Sequence, residues 1–96
     1  METQRTLTPE LQKKLEKFVC ENTGCTDAEI TENSDGQISI YSCKKAYGDS
    51  GWFMVEYENG TITDLEGDDL EDASKTVIEM ARRFGLNKIF YNIEWD

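Results

Sequence analysis

The stretch from Asp64 to Gly85 constrains the fold most, because it joins an acidic lead-in to a strongly marked amphipathic helix. Asp68 is the predicted N-cap, with Glu71 three residues later as its capping-box partner, and Gly85 ends the helix. The apolar residues recur at three- and four-residue spacing, which places them on one stripe: Leu70, Ala73, Val77, Met80, Ala81 and Phe84. A helix with one apolar stripe must pack against another layer, so the rest of the chain is expected to supply it.

A second amphipathic helix is predicted near the start of the chain. Thr8 is its predicted N-cap, Pro9 occupies the first helical position and Gly24 ends it. Its apolar residues follow helical spacing, with lysines on the opposite side: Leu11, Leu15, Phe18 and Val19. Residues 1–6 are polar, and we expect them to be disordered.

Alternation of apolar and polar residues predicts strands at 37–44, 52–58, 61–65 and 88–95. Turn signals separate them: Asp35-Gly36, the YGDSG segment at 47–51, and Asn59-Gly60. Residues 28–33 could form a strand or a helical turn. The strand is favoured, because the predicted hairpin at Asp35-Gly36 needs two arms.

These elements predict one α+β domain over residues 1–96, built as a two-layer sandwich in the order α-β-β-β(-β)-α-β. An antiparallel meander of three to four strands and a C-terminal strand would pack against both helices. The order of helix, meander and helix is similar to that of the double-stranded-RNA-binding domain. That family contacts RNA through basic residues at the start of its second helix, where this chain carries acidic ones, which argues against RNA binding.

The placement of charge is more informative than the net charge of −10. No Lys or Arg occurs between Ala46 and Ser74, and this span contains nine acidic residues: Asp49, Glu56, Glu58, Asp64, Glu66, Asp68, Asp69, Glu71 and Asp72. Together with Trp52, a candidate aromatic anchor beside Met54 and Tyr47, they form the predicted partner-binding surface. Such a surface repels nucleic acid and anionic membranes and attracts a basic protein.

Catalytic and metal motifs are weak in this chain, and we expect no enzyme activity, cofactor or dedicated metal site. The chain has no histidine, so Ser50 in the GDSG segment lacks an imidazole base. The spacing of Cys20, Cys25 and Cys43 does not match zinc or redox motifs. Residues 31–42 partly match a calcium loop but lack its first and last acidic ligands, so a hairpin is the better interpretation.

The sequence therefore predicts a small acidic protein-binding module, an inhibitor or adaptor that docks on a basic partner, with nucleic-acid mimicry as the candidate mode of docking. In size and charge it resembles phage anti-defence inhibitors such as anti-CRISPR proteins, and acidic bacterial immunity proteins. The alternative is a structural or regulatory subunit of an oligomer, such as a homodimer, with no charge-driven partner. We expect a cytoplasmic protein, because no apolar signal segment or membrane span is evident.

Overall fold

The computed structural model describes residues 7–24, 27–44 and 50–95. It contains α1 (Pro9–Thr23), β1 (Ala28–Glu32), β2 (Ile38–Lys44), β3 (Gly51–Glu58), β4 (Thr61–Gly67), α2 (Leu70–Phe84) and β5 (Lys88–Trp95). The predicted α+β class and element order are confirmed, and residues 28–32 form a strand. The predictions for residues 1–6 and for most of the 47–51 turn lie outside the described residues.

The first helix begins and ends as its sequence predicts. The Thr8 side chain accepts a hydrogen bond from the Leu11 N–H at 3.1 Å, which satisfies one of the free amides of the first turn. Gly24 adopts the left-handed conformation, and its N–H donates to the Cys20 carbonyl. Neither helix in the described part of the chain is long and apolar enough to cross a bilayer.

The second helix begins differently from its prediction. Its N-cap is Asp69, which has φ 52° and ψ 38° and makes no capping hydrogen bond through its side chain. The prediction of Asp68 as the cap is therefore wrong, because the Asp68 carboxylate accepts from the Trp52 N–H at 3.3 Å instead. Gly85 ends the helix in the left-handed conformation, as predicted.

The five strands form one sheet in the order β1-β2-β5-β3-β4. β5 pairs parallel to β2 and antiparallel to β3, so the last strand lies at the centre of the sheet. The four earlier strands do not form the predicted continuous meander, because β5 separates β2 from β3 and leaves two antiparallel hairpins, β1-β2 and β3-β4. Periodicity along the chain contains no information about which strands are neighbours.

The two hairpin turns differ in length. Asn59 and Gly60 have φ 48° and 92°, which is the conformation of the predicted two-residue turn. The first turn is longer than the predicted Asp35-Gly36 pair: the Asn33 N–H donates to the Gln37 carbonyl, and residues 34–36 protrude beyond that pair. Gly36, with φ 89°, supplies its left-handed residue.

Both helices pack on the same face of the sheet, which we call the core face. α1 contributes Leu15, Phe18 and Val19, and α2 contributes its apolar stripe, including Val77 and Met80. The strands contribute alternate residues to the same cluster: Ile30, Ile38, Ile40, Phe53, Val55, Tyr57, Ile89, Tyr91 and Ile93. This alternation leaves the other residues of every strand on the opposite face, which no described helix covers.

Candidate acidic docking face

The uncovered side of the sheet, which we call the open face, is organised in rows across the five strands. One row runs Thr31, Ser39, Phe90, Glu56 and Asp64 from β1 to β4. The next runs Glu29, Tyr41, Asn92, Met54 and Glu66. In a third row Cys43, Glu94 and Trp52 are neighbours on β2, β5 and β3.

Six acidic residues lie on this face: Glu29, Glu56, Glu58, Asp64, Glu66 and Glu94. Glu56 is directly opposite Asp64 in the β3-β4 pair, an arrangement of like charges that destabilises a sheet. Lys88 is the only basic side chain on the described part of this face, and it lies at one end. The centre of the β3-β4 ribbon therefore carries uncompensated negative charge.

Apolar side chains occupy the middle of the same face. Trp52 is 43% exposed and Tyr41 is 40% exposed, while Met54 and Phe90 are partly buried between them and the acidic residues. Trp52 and Met54 thus share a face, as the alternation in β3 predicts, whereas Tyr47 lies outside the described residues. The result is an aromatic centre with carboxylates around it.

Sequence reasoning missed Tyr41, Phe90, Glu94 and Glu29 as members of this surface. Alternation in β5 correctly separates Phe90 and Glu94 from the core residues of that strand. The missing information was that β5 lies beside β3, which places Glu94 directly opposite Trp52. A non-local strand pairing of this kind leaves no signal in local periodicity.

The Tyr41 hydroxyl donates a hydrogen bond to Glu94 Oε2 at 2.6 Å, which joins β2 to β5 across the open face. This hydrogen bond to a carboxylate, together with partial desolvation, raises the pKa of Tyr41 to about 12. Tyr41 therefore stays protonated and fixes the Glu94 carboxylate beside the aromatic centre.

Lys88 compensates the negative charge of two carboxylates at the end of the sheet next to the first hairpin turn. Its Nζ lies 3.5 Å from Asp35 Oδ2 and 3.6 Å from Glu58 Oε2. The Gln37 N–H donates to Asp35 Oδ1 at 3.2 Å, and this bond, with the charge of Lys88, lowers the pKa of Asp35. Glu58 is thus partly compensated, in contrast to Glu56, Asp64 and Glu66, for which no ion pair is found in the described residues.

The ten predicted partner-binding residues do not all share one surface. Five lie on the open face: Trp52, Glu56, Glu58, Asp64 and Glu66. Asp68 follows β4 and is tied to Trp52 by a reciprocal pair of hydrogen bonds, because its own N–H donates to the Trp52 carbonyl at 2.8 Å. Asp69, Glu71 and Asp72 belong to the start of α2 in the helical layer. Asp49 lies outside the described residues.

The candidate catalytic and metal-binding residues remain dispersed. Within residues 7–24, 27–44 and 50–95, no three acidic or cysteine side chains are close enough together to hold a metal ion. Cys20 lies on α1 and Cys43 lies on the open face, while Cys25 lies outside those ranges. Residues 31–42 form the β1-β2 hairpin rather than a calcium loop.

The chain matches no protein-family model, no curated protein and no solved structure in comparisons with known proteins. Functional interpretation therefore depends on the chemistry of its own surfaces. Of these, the open face combines the largest group of acidic side chains with exposed aromatic residues.

Proposed function

We propose that this protein is a binding module whose open face docks on a basic protein partner. The observation that carries this proposal is the uncompensated Glu56-Asp64 pair on the β3-β4 side of an uncovered, aromatic-containing sheet face. Like charges directly opposite each other lower the stability of the free protein. A cationic partner would relieve this repulsion. The loss of the repulsion would then contribute favourably to the free energy of binding.

The spacing of the carboxylates suits a partner that normally holds nucleic acid. Glu56 and Glu58 project from the same side of β3, about 7 Å apart along the strand, and Asp64 lies on the neighbouring strand about 5 Å from Glu56. A row of carboxylates at this spacing can occupy phosphate subsites of a basic groove. Inhibition by nucleic-acid mimicry is therefore the specific form of the proposal.

The aromatic centre would supply much of the affinity. Interface hot spots combine a desolvated aromatic anchor with a polar rim that excludes water. Trp52 is the most exposed aromatic side chain on the described part of the open face, with Met54 two residues further along β3 and Tyr41 on the far side of β5. The carboxylates around it would then set orientation and speed of association more than total affinity.

Self-association through the open face is the competing function. The exposed area of Trp52 and Tyr41 favours it, because solvent-exposed aromatic side chains are common at subunit interfaces. A two-fold symmetric pair, however, would bring the six acidic residues of one copy against those of the other. This repulsion favours a basic partner over a second copy.

The test compares two triple variants with the same change in net charge. E56Q/D64N/E66Q neutralises the open face, and E21Q/E71Q/E79Q, the helix variant, neutralises exposed positions of α1 and α2. Each tagged protein is used for affinity capture from the source cell at low and high salt, and each recovered basic protein is then assayed for nucleic-acid binding. We expect the wild type and the helix variant to retain a partner, to release it as salt rises and to block its nucleic-acid binding.

The open-face variant should lose that partner while being about 0.5 kcal/mol more stable than the wild type, because the Glu56-Asp64 repulsion is removed. The gain in stability separates loss of binding from misfolding. Retention of the partner by the open-face variant, or equal loss by both variants, would contradict the proposal. A salt-insensitive oligomer in sedimentation experiments would support the competing function.

A further inference from the structure

A cleft of about 300 Å³ lies between the two helices, above the core face of the sheet. The C-terminal end of α1 and the first two turns of α2 form its walls, and side chains of β3 and β5 form its floor. Its volume is at the lower end of the range for small-molecule sites. It is separate from the open face, because the sheet lies between them.

Short side chains on α2 keep this cleft open. Asp69, Asp72, Ala73 and Thr76 all line it, and their spacing places them on one side of the helix. Further along α2, larger apolar residues such as Met80 fill the space above the sheet. The side chains of α2 thus line the cleft in its first two turns and fill the core further along the helix.

Aromatic rings form the floor of the cleft. The ring centroid of Phe53 lies 5.3 Å from that of Tyr91 and 6.0 Å from that of Trp95. Phe53 and Tyr91 are buried, whereas Trp95 is partly exposed and borders the opening. The face of an aromatic ring carries negative potential and attracts cations.

Two exposed carboxylates, those of Asp69 and Asp72, lie at the rim. Among the described residues, no basic side chain lines the cleft and neither carboxylate is in an ion pair. Lys75, one turn further along α2, is paired with Glu71 at 3.6 Å. The partial positive charge of the helix N-terminus, about half a unit, is smaller than the charge of two carboxylates. The cleft is therefore negative at its rim and aromatic at its floor.

We propose that this cleft binds a guanidinium group, from either an arginine side chain or a small guanidine compound. A guanidinium is planar and weakly hydrated, stacks on aromatic rings and donates hydrogen bonds to carboxylates in a fork. Trp95 offers the ring, and Asp69 and Asp72 offer the acceptors. This inference does not depend on the proposed function, because it concerns the helical layer and not the open face.

Tryptophan fluorescence gives a direct readout of binding. The chain has two tryptophans, so the W52F variant leaves Trp95 as the single indole reporter. We expect N-acetyl-arginine amide to produce a saturable change in Trp95 emission, and the neutral isostere N-acetyl-citrulline amide to produce none. An equal response to both compounds would overturn the proposal.

Variants in the W52F background test whether the two carboxylates at the rim contribute to arginine binding. D69N/D72N should weaken arginine binding by about tenfold, because both charge-assisted hydrogen bonds become neutral ones. Asparagine tolerates the left-handed conformation of residue 69, so the helix should still begin there. The control is E71Q, which changes an exposed acid of the same turn outside the cleft and should leave binding within about twofold. Equal weakening by the two variants would count against a specific site.

A second ligand distinguishes the two possible sources of the guanidinium group, a protein side chain and a small compound. A pentapeptide with a central arginine should bind more tightly than the capped amino acid if the natural ligand is a protein side chain, and equally if it is a small guanidine compound. Binding of neither ligand overturns the proposal. The open-face variant E56Q/D64N/E66Q should bind both as the W52F parent does, so the two proposals can fail separately.

Discussion

At the scale of single residues, Gly67 controls how the end of β4 meets β3. It has φ 108°, and an added Cβ would collide with the Trp52 carbonyl oxygen and lie 2.8 Å from Phe53 Cα. Both contacts are with backbone atoms, which cannot move aside as a flexible side chain can. Glycine is therefore required at the point where the chain places Asp68 against Trp52.

We expect G67A to lower the free energy of unfolding by about 2–4 kcal/mol, because it adds backbone strain and separates β3 from β4. The control is G60A, since Gly60 has φ 92° but an added Cβ there meets nothing within 4 Å. That variant should lose about 1 kcal/mol from conformation alone. Urea denaturation measures both, and an equal loss in the two variants would show that the close approach is unimportant.

Tyr41 gives a pH-dependent prediction at the same scale. Its pKa is raised from 10.0 to about 12 by the hydrogen bond to Glu94, so this bond stabilises the folded protein fully below pH 10 and is lost as pH rises towards 12. E94Q should move the pKa of Tyr41 back towards 10, because the neighbouring negative charge is removed. Tyrosinate absorbance, taken as the difference from a Y41F reference, measures the shift. An unchanged pKa in E94Q would contradict the assigned cause.

At the scale of elements, the apolar stripe of α2 was correctly predicted from spacing alone. Met80 is fully buried, whereas Ile78, two residues before it, is 38% exposed on the other side of the helix. Truncation of similar apolar residues on one helix should therefore lower the free energy of unfolding by different amounts. The difference comes from the direction of each side chain, not from its chemistry.

M80A should lower the free energy of unfolding by about 2–5 kcal/mol, because it removes buried methylene groups and leaves a cavity. I78A should change it by less than about 1 kcal/mol, because that side chain retains much of its contact with water. Thermal or urea unfolding of the two variants checks the prediction. Comparable losses would mean that α2 is rotated about its axis, so that Ile78 faces the sheet as Met80 does.

At the scale of the whole molecule, the last strand completes the centre of the sheet. β5 contacts β2 on one side and β3 on the other, and its alternate side chains Ile89, Tyr91 and Ile93 are all buried. Without β5, the two hairpins would each have an unpaired edge and no shared core. Cooperative folding should therefore require the C-terminal residues.

A chain that ends at residue 85 should lack a cooperative unfolding transition, because neither hairpin is stable alone in water. Circular dichroism during thermal unfolding measures this directly. Addition of a peptide of residues 86–96 should restore a transition if the strand can insert between the hairpins. A cooperative transition in the truncated chain alone would show that β5 is dispensable.

The sequence by itself determined the local features of this protein. Periodicity identified both helices and the strand faces, and Thr8, Gly24, Gly85 and the Asn59-Gly60 turn acted as predicted. These features depend on neighbours within about four residues, so the sequence expresses them directly. The cap of α2 was misplaced by one residue because Asp68 has a tertiary partner in Trp52.

Only the tertiary structure decided which charged and aromatic residues share a surface. Insertion of β5 between the hairpins placed Glu94 beside Trp52 and Phe90 beside Glu56, and packing of α2 on the core face separated the acids at its start from the open face. The continuous acidic span of the sequence is thus divided between the two layers. Strand order depends on burial of the whole core, which involves residues far apart in the sequence. A short segment therefore does not determine it.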